Sequence, residues 1–185
     1  MSSAPSPNFI TFKFSGTKPT IRDSKVTDPW GQTVLTISST KKESTLHNMQ
    51  GQTFAVVEWK HSLPHVLYGG TEVKSKDFLP LERKSMIRGM THAGQTYGWK
   101  GASDGMSVGL YHPSDPQNRL AYWHNEDHVI FVEVSRQACE TPGLLEMCLM
   151  AVFMMNCGSQ LEEHGSGGGP NMWLVGAISA LINAA

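Results

Sequence analysis

The sequence has little that would commit it to an oxidising compartment, a membrane span or a nucleic acid. It holds three cysteines, Cys139, Cys148 and Cys157, an odd number that cannot all pair within the chain. On a helix, Cys148 and Cys157 would fall on opposite faces and could not pair with each other. Thiols in a reducing compartment are therefore expected. No Asn-x-Ser/Thr sequon occurs, and the N-terminal MSSAPSPNF lacks the basic and apolar regions of a secretory signal. Neither sign of charge dominates, with 15 basic and 16 acidic residues. The basic residues are scattered, and their densest spots are the pairs Lys41-Lys42 and Arg83-Lys84. That is no electrostatic footprint for nucleic acid. No apolar run approaches the ~20 residues of a membrane-spanning helix. A cytoplasmic protein is expected, with peripheral association at a membrane surface as its only route to lipid.

The longest apolar run is Met147 to Met155, nine residues inside the stretch PGLLEMCLMAVFMMNC, Pro142 to Cys157. Its only charge is Glu146. Leu and Met, with their unbranched Cβ, favour helix over strand. Thr141 suits the cap, Pro142 the first helical position and Gly158 the stop. A helix that is apolar on every side must be enclosed, and this one is too short for lipid to enclose it.

The segments before it alternate with the period of strands. Asn8 to Phe14 places Ile10, Phe12 and Phe14 on one face. Thr33 to Ser39, Thr53 to Lys60, Gln95 to Gly101, Ser107 to Tyr111, Leu120 to His124 and His128 to Val134 are further strands. Weaker ones are expected at Thr17 to Asp23, Glu43 to Asn48, His65 to Tyr68, Thr71 to Lys74 and Lys84 to Met90. Turn signals separate them, such as Gln50-Gly51, Gly69-Gly70, Ala93-Gly94 and Asp104-Gly105. Short, regularly spaced strands pair antiparallel with their neighbours. The predicted fold is mainly β: a closed antiparallel barrel of about 10–12 strands around the apolar helix. Residues 1–7 are a Ser/Pro/Ala tail, 8–157 the barrel and its helix, 158–170 a Gly-rich linker, and 171–185 a last amphipathic helix.

The many short strands, the strand QTYGWKG (Gln95 to Gly101), the strand HVIFVEV (His128 to Val134) and the Leu-Met helix together resemble a fungal, mushroom-type domain family of unknown function. That family is similar to the tubby-like group, with its plant LURP-one-related proteins and phospholipid scramblases. The resemblance covers roughly residues 8–157. It implies a closed barrel around a central helix, and by analogy the binding of lipid or phosphoinositide. The Gly-rich linker after Cys157 departs from the charged turn that ends the family's helix. No phosphoinositide-binding residue is carried over from it.

Two groups of residues stand out as candidate ligand contacts. His124-Asn125-Glu126-Asp127-His128 closes an expected hairpin with a three-residue loop, so His124 and His128 would face each other with Glu126 beside them. Metal binding or a proton relay is one reading of that cluster and an ordinary polar hairpin tip the other. Arg83, Lys84 and Arg88 are cations expected near loop ends, where they would contact phosphate. His61 and His65 flank a turn that Pro64 keeps from being helical. Gly165 to Gly169 lacks the Lys-Ser/Thr of a phosphate loop, and no Gly-x-Ser-x-Gly elbow occurs. Cys139 precedes the apolar helix and is read as a quiet thiol rather than a nucleophile. Tyr97, Trp99, Tyr111, Tyr122 and Trp123 are strand aromatics, core where they face inward and a ligand patch where they face outward. Trp30 and Trp173 lie outside that group as exposed contacts.

No catalytic residue, metal or cofactor is expected. The reading is a non-enzymatic module that binds phospholipid headgroups or a protein partner. Its alternatives are a small ligand-binding protein or enzyme with its site at a barrel mouth near His124 and His128, and a structural homo-oligomer joined through Met172 to Ala185.

Overall fold

The computed structural model describes residues 8–16, 21–102, 105, 107–157 and 161. Strand β1 (Phe9–Ser15) is followed by a 3-10 turn at Ile21–Asp23 and then β2 (Lys25–Thr27), β3 (Thr33–Ser39), β4 (Glu43–Asn48), β5 (Thr53–Glu58), β6 (His65–Tyr68) and β7 (Thr71–Lys74). A short helix, α1 (Ser75–Phe78), leads to β8 (Leu81–Glu82), β9 (Ile87–His92), β10 (Gln95–Gly101), β11 (Ser107–His112), β12 (Asp115–Glu126) and β13 (Val129–Ser135). Helices α2 (Arg136–Glu140) and α3 (Leu144–Asn156) complete the described order.

All thirteen strands form one sheet in the order β7-β6-β5-β4-β3-β2-β1-β13-β12-β11-β10-β9-β8. Every pairing is antiparallel. Nearly all join sequence neighbours; the exception is β1, which pairs with β13 from Phe9↔Ser135 to Phe14↔Ile130. The sheet's end strands, β7 and β8, are not hydrogen-bonded to each other, so the sheet is not closed into the barrel expected from the sequence. Chemistry at the seam accounts for this. Pro80 has no N–H to donate and β8 is two residues long. Instead α1 fills the seam, touching β6, β7 and β9. The Ser75 amide donates to Pro64 O at 2.8 Å, the Gly89 amide to Pro80 O at 2.7 Å, and Ser75 Oγ to Leu161 O at 3.1 Å.

Alternation sorts each strand into an inner and an outer face. Phe14, Val26, Leu46, Val57, Val66, Met90, Trp99, Leu110, Ala121, Val132 and Val134 are wholly buried on the inner one. Residues Met147 to Met155 of α3 are buried without a break. Nine residues are about two and a half turns, so no side of α3 faces water. Each large side chain buried there contributes about 1.5–3 kcal/mol before entropy is counted.

The helix begins later than the sequence suggests. Pro142 is not its first residue: Gly143 is the N-cap, in the left-handed region at φ 75°. Thr141 closes α2 rather than capping α3, its Oγ1 donating to Gln137 O at 2.9 Å. A Cβ on Gly143 would lie 3.0 Å from the His92 ring, whose Nε2 is hydrogen-bonded to Pro142 O at 2.7 Å. Two other expectations change. Ile21–Asp23 is a 3-10 turn where a strand was expected, and β2 and β8, too short for periodicity to show, appear. The expected linker and last helix lie outside the described residues, apart from Leu161, which is buried.

Candidate functional site

Among the described residues, the outer face of β8 to β12 carries a groove of about 1120 Å³. Gly89 and Gly98 line it, and Gly109 lies beside them beneath the side chains of Tyr111 and Arg119. Gly89 of β9 and Gly98 of β10 are register partners, Gly98 also faces Tyr111 of β11, and Gly109 of β11 faces Lys100. Glycine inside a strand weakens it and marks a place where something approaches the backbone closely. Here side chains recline into the vacated space. A Cβ on Gly98 would lie 2.8 Å from Ile87 Cγ2, and one on Gly89 3.1 Å from Pro80 Cγ. A Cβ on Gly109 would meet Tyr111 Cε2 at 2.8 Å, the Tyr111 hydroxyl at 2.9 Å and Arg119 Cδ at 3.0 Å. Tyr111 therefore leans back along its own strand with its phenol end over Gly109.

Two cations line this groove, Lys100 and Arg119. The Arg119 guanidinium sits 3.8 Å from the Tyr122 ring centroid and 6.0 Å from that of Phe9. This places the guanidinium carbon over the Tyr122 ring face, a cation–π contact. Among the described residues neither cation has a hydrogen bond or an ion pair with a protein group; the ion pairs present join Glu58 to Lys60 and His61, and Glu72 to His65. The groove's one carboxylate, on Glu82, accepts a 2.6 Å hydrogen bond from Ser85 Oγ. Burial, and then the nearby Glu133 carboxylate, push the Tyr122 phenol above its ordinary pKa, which keeps the ring under Arg119 neutral. Beside the groove, sharing Tyr97 and His112 with it, is a smaller recess of about 270 Å³ lined in part by Asp115, Asn118, Gln137 and Thr141.

The residues singled out from the sequence do not converge. The β12–β13 turn has two residues, not three: Asp127 and His128 both adopt positive φ, 50° and 64°, as a tight hairpin of this hand requires. His128 thus sits in the turn, while His124 pairs across the sheet with Phe131, and the two imidazoles do not face each other. His124 lies in a column of rings, stacked on Phe131 at 5.4 Å and on Tyr122 at 6.2 Å. Glu126 is the last residue of β12, exposed and paired with Val129. Arg83 and Lys84 are exposed in the turn between β8 and β9. Arg88 is not at the surface. It is 3% exposed and its Nη1 donates to Leu79 O at 2.7 Å, so it holds the seam and cannot meet a headgroup from this position.

His61 and His65 stack at 4.0 Å and hydrogen-bond to Glu58 and Glu72 at 3.2 and 2.6 Å. Among the described residues no group of three or more His, Cys, Asp or Glu side chains is placed to hold a metal ion. Cys139 and Cys148 are free thiols, and Cys157 Sγ donates to Met154 O at 3.1 Å. Burial, then Glu140, push the Cys139 thiol up to about 11, the wrong direction for a nucleophile, and burial raises Cys148 further. Of the strand aromatics, Tyr97, Trp99 and Trp123 are buried, while Tyr111 and Tyr122 face outward. Trp30 is 81% exposed, and Trp173 lies outside the described residues. Sequence reasoning missed Lys100, Arg119 and these glycines. The available signal was glycine in strand interiors, in QTYGWKG and SVGLY, which marks close approach to the backbone.

These features define a mainly β domain with a cationic outer groove. The chain belongs to a family of unknown function, DUF6593, whose model matches residues 18–154. No curated protein matches it. Among solved structures it is similar to a protein from Arabidopsis thaliana determined by X-ray, with 13% identity and a TM-score of 0.44 over 80% of this chain and 93% of that one. A likeness at that level carries no weight for fold or function. No helix among the described residues is long and apolar enough to cross a membrane.

Proposed function

We propose that this chain is a tubby-like, non-enzymatic binding module whose ligand is the anionic headgroup of a phospholipid, held in the groove by Lys100 and Arg119. The observation that carries this reading is a pair of cations lining a groove with, among the described residues, no protein anion bound to either. A cation left without a partner in a recess attracts an anion, and the planar guanidinium of Arg119 suits the two oxygens of a phosphate. In this reading the thirteen-stranded sheet curls around α3 as a barrel whose seam is bridged by α1, and the module works in the cytoplasm at a membrane surface. The fungal family and the tubby-like kinship belong to the same proposal. Homo-oligomerisation through Met172 to Ala185 concerns residues outside the described ones.

Sedimentation with vesicles tests it. The protein should pellet with phosphatidylcholine vesicles containing phosphatidylserine or a phosphoinositide and stay in solution with phosphatidylcholine alone. Arg119→Ala, with Lys100→Ala, should abolish pelleting while the circular dichroism spectrum is unchanged. Equal behaviour on neutral and anionic vesicles overturns the lipid reading and turns attention to a protein partner.

A further inference from the structure

We infer that the end of the sheet carrying Trp30 and Met49 pairs with the same end of a second copy of this chain. This goes beyond the groove reading above and uses none of the groove's residues.

Three observations carry it. The first is a polarity between the two ends of the sheet. Every strand runs antiparallel to its neighbours, so successive turns fall at opposite ends. Five turns share the end at which α3 begins: residues 28–32, 49–52, 69–70, 93–94 and 113–114. Between them they hold one charged residue, Asp28. The turns at the other end hold the cations Lys41, Lys42, Lys60, Arg83 and Lys84. The second observation is rigidity. Asp28 to Gln32 and Asn48 to Gln52 are the same turn twice. In each, the first side chain accepts from the third and fifth amides, at 3.0 and 2.8 Å on Asp28 Oδ1 and at 3.1 and 2.9 Å on Asn48 Oδ1. In each, the first amide also donates to the fifth carbonyl, at 3.0 and 2.9 Å. Gln32 Nε2 donates to Met49 Sδ at 3.1 Å and ties one turn to the other. The third is what these turns display. Trp30 is 81% exposed and Met49 52%, and among the described residues the Trp30 indole has no hydrogen bond or ring contact.

Large apolar side chains held still in water mark an interaction surface, because little ordering entropy is left to lose on binding. Charge decides the occupant. Elements that lie on a bilayer surface set cations beside their apolar residues, and these turns have none. Two copies of a nearly uncharged end meet without opposing like charges, whereas two copies of the cationic end repel. Under two-fold symmetry Trp30 of one copy lies against Met49 of the other, a ring-and-thioether contact made twice. Two short turns fall well below the roughly 20–30 residues a side of a standard interface, so the dimer is weak, with Kd on the order of 100 μM.

Sedimentation equilibrium on the full chain, from about 10 μM to about 1 mM, brackets that Kd. The mean mass should rise from one chain towards two, and the tryptophan emission should shift to the blue as Trp30 leaves water. Trp30→Ala and Met49→Ala should each weaken association by about tenfold, with the circular dichroism spectrum unchanged. Lys41→Ala with Lys42→Ala, at the opposite end, should leave association as it is. A single-chain mass at about 1 mM overturns the proposal. So does association that is unchanged in Trp30→Ala. A blue shift on phosphatidylcholine vesicles at about 10 μM also overturns it, and gives this end to a bilayer instead. Loss of association in Trp30→Ala with anionic-vesicle binding intact keeps the pairing distinct from the groove.

Discussion

The two faces of β9 to β12 are built from the same strands and obey opposite rules. Inward, Met90, Trp99, Leu110, Ala121 and Trp123 fill the space beneath the sheet and are at most 3% exposed. Outward, Gly89, Gly98 and Gly109 give up side chains of their own, and Pro80, Ile87, Tyr111 and Arg119 lie over them. Packing explains the first face completely, since close-packed interiors leave no voids. On the second, the room left by glycine is taken by side chains leaning in from neighbouring positions. Glycine in a strand forfeits side-chain contacts and adds backbone entropy to the unfolded state, so three on one face lower stability. Under the proposed function that loss of stability serves an anion held by Lys100 and Arg119, neither of which has an ion pair among the described residues.

The contrast can be broken in order of size. Phe153→Ala, in a helix with no exposed side, should lower stability by about 3–5 kcal/mol in urea denaturation. A loss below about 1 kcal/mol would mean the interior is not packed as described. Arg119→Ala should cost anion affinity by roughly tenfold or more while leaving the urea midpoint nearly unchanged, because among the described residues the guanidinium contacts rings and has no hydrogen bond or ion pair with a protein group. A large stability loss would reassign Arg119 to structure. A subtler effect concerns the thiols. Cys139 titrates near 11 in the fold against an ordinary 9.0, so the fold holds a proton that the unfolded chain releases. Its contribution is full below pH 9 and is lost as pH rises towards 11. The thermal midpoint should fall across that window, and less steeply in Cys139→Ala; an identical slope would contradict it. Smallest is Trp30→Ala. At 81% exposure in a turn braced by Asp28, it should change stability by no more than about 0.5 kcal/mol.

The same contrast governs what could be read from the chain. The inner face was legible because burial imposes a period: β3, β4, β6 and β7 were placed to the residue from alternation and turn signals, and α3 from its unbroken apolar run. The seam was not legible, because it depends on α1 and on Arg88, a cation whose burial no local pattern announces. Nor was the groove. Arg119 and Lys100 are far apart in sequence and meet only through the β10–β11–β12 register. The His124 and His128 pairing failed for a local reason: Asp127 and His128 adopt left-handed backbone, which shortens the loop by one residue and turns His128 away.

The most direct test is the anionic-vesicle affinity of Gly109→Ala. The added methyl would lie 2.8–3.0 Å from the Tyr111 ring, its hydroxyl and Arg119 Cδ, so both side chains must shift to admit it. If the outer groove is the binding site, affinity falls by about tenfold or more while the thermal midpoint stays within a few degrees. Wild-type affinity in a folded Gly109→Ala protein would contradict the account.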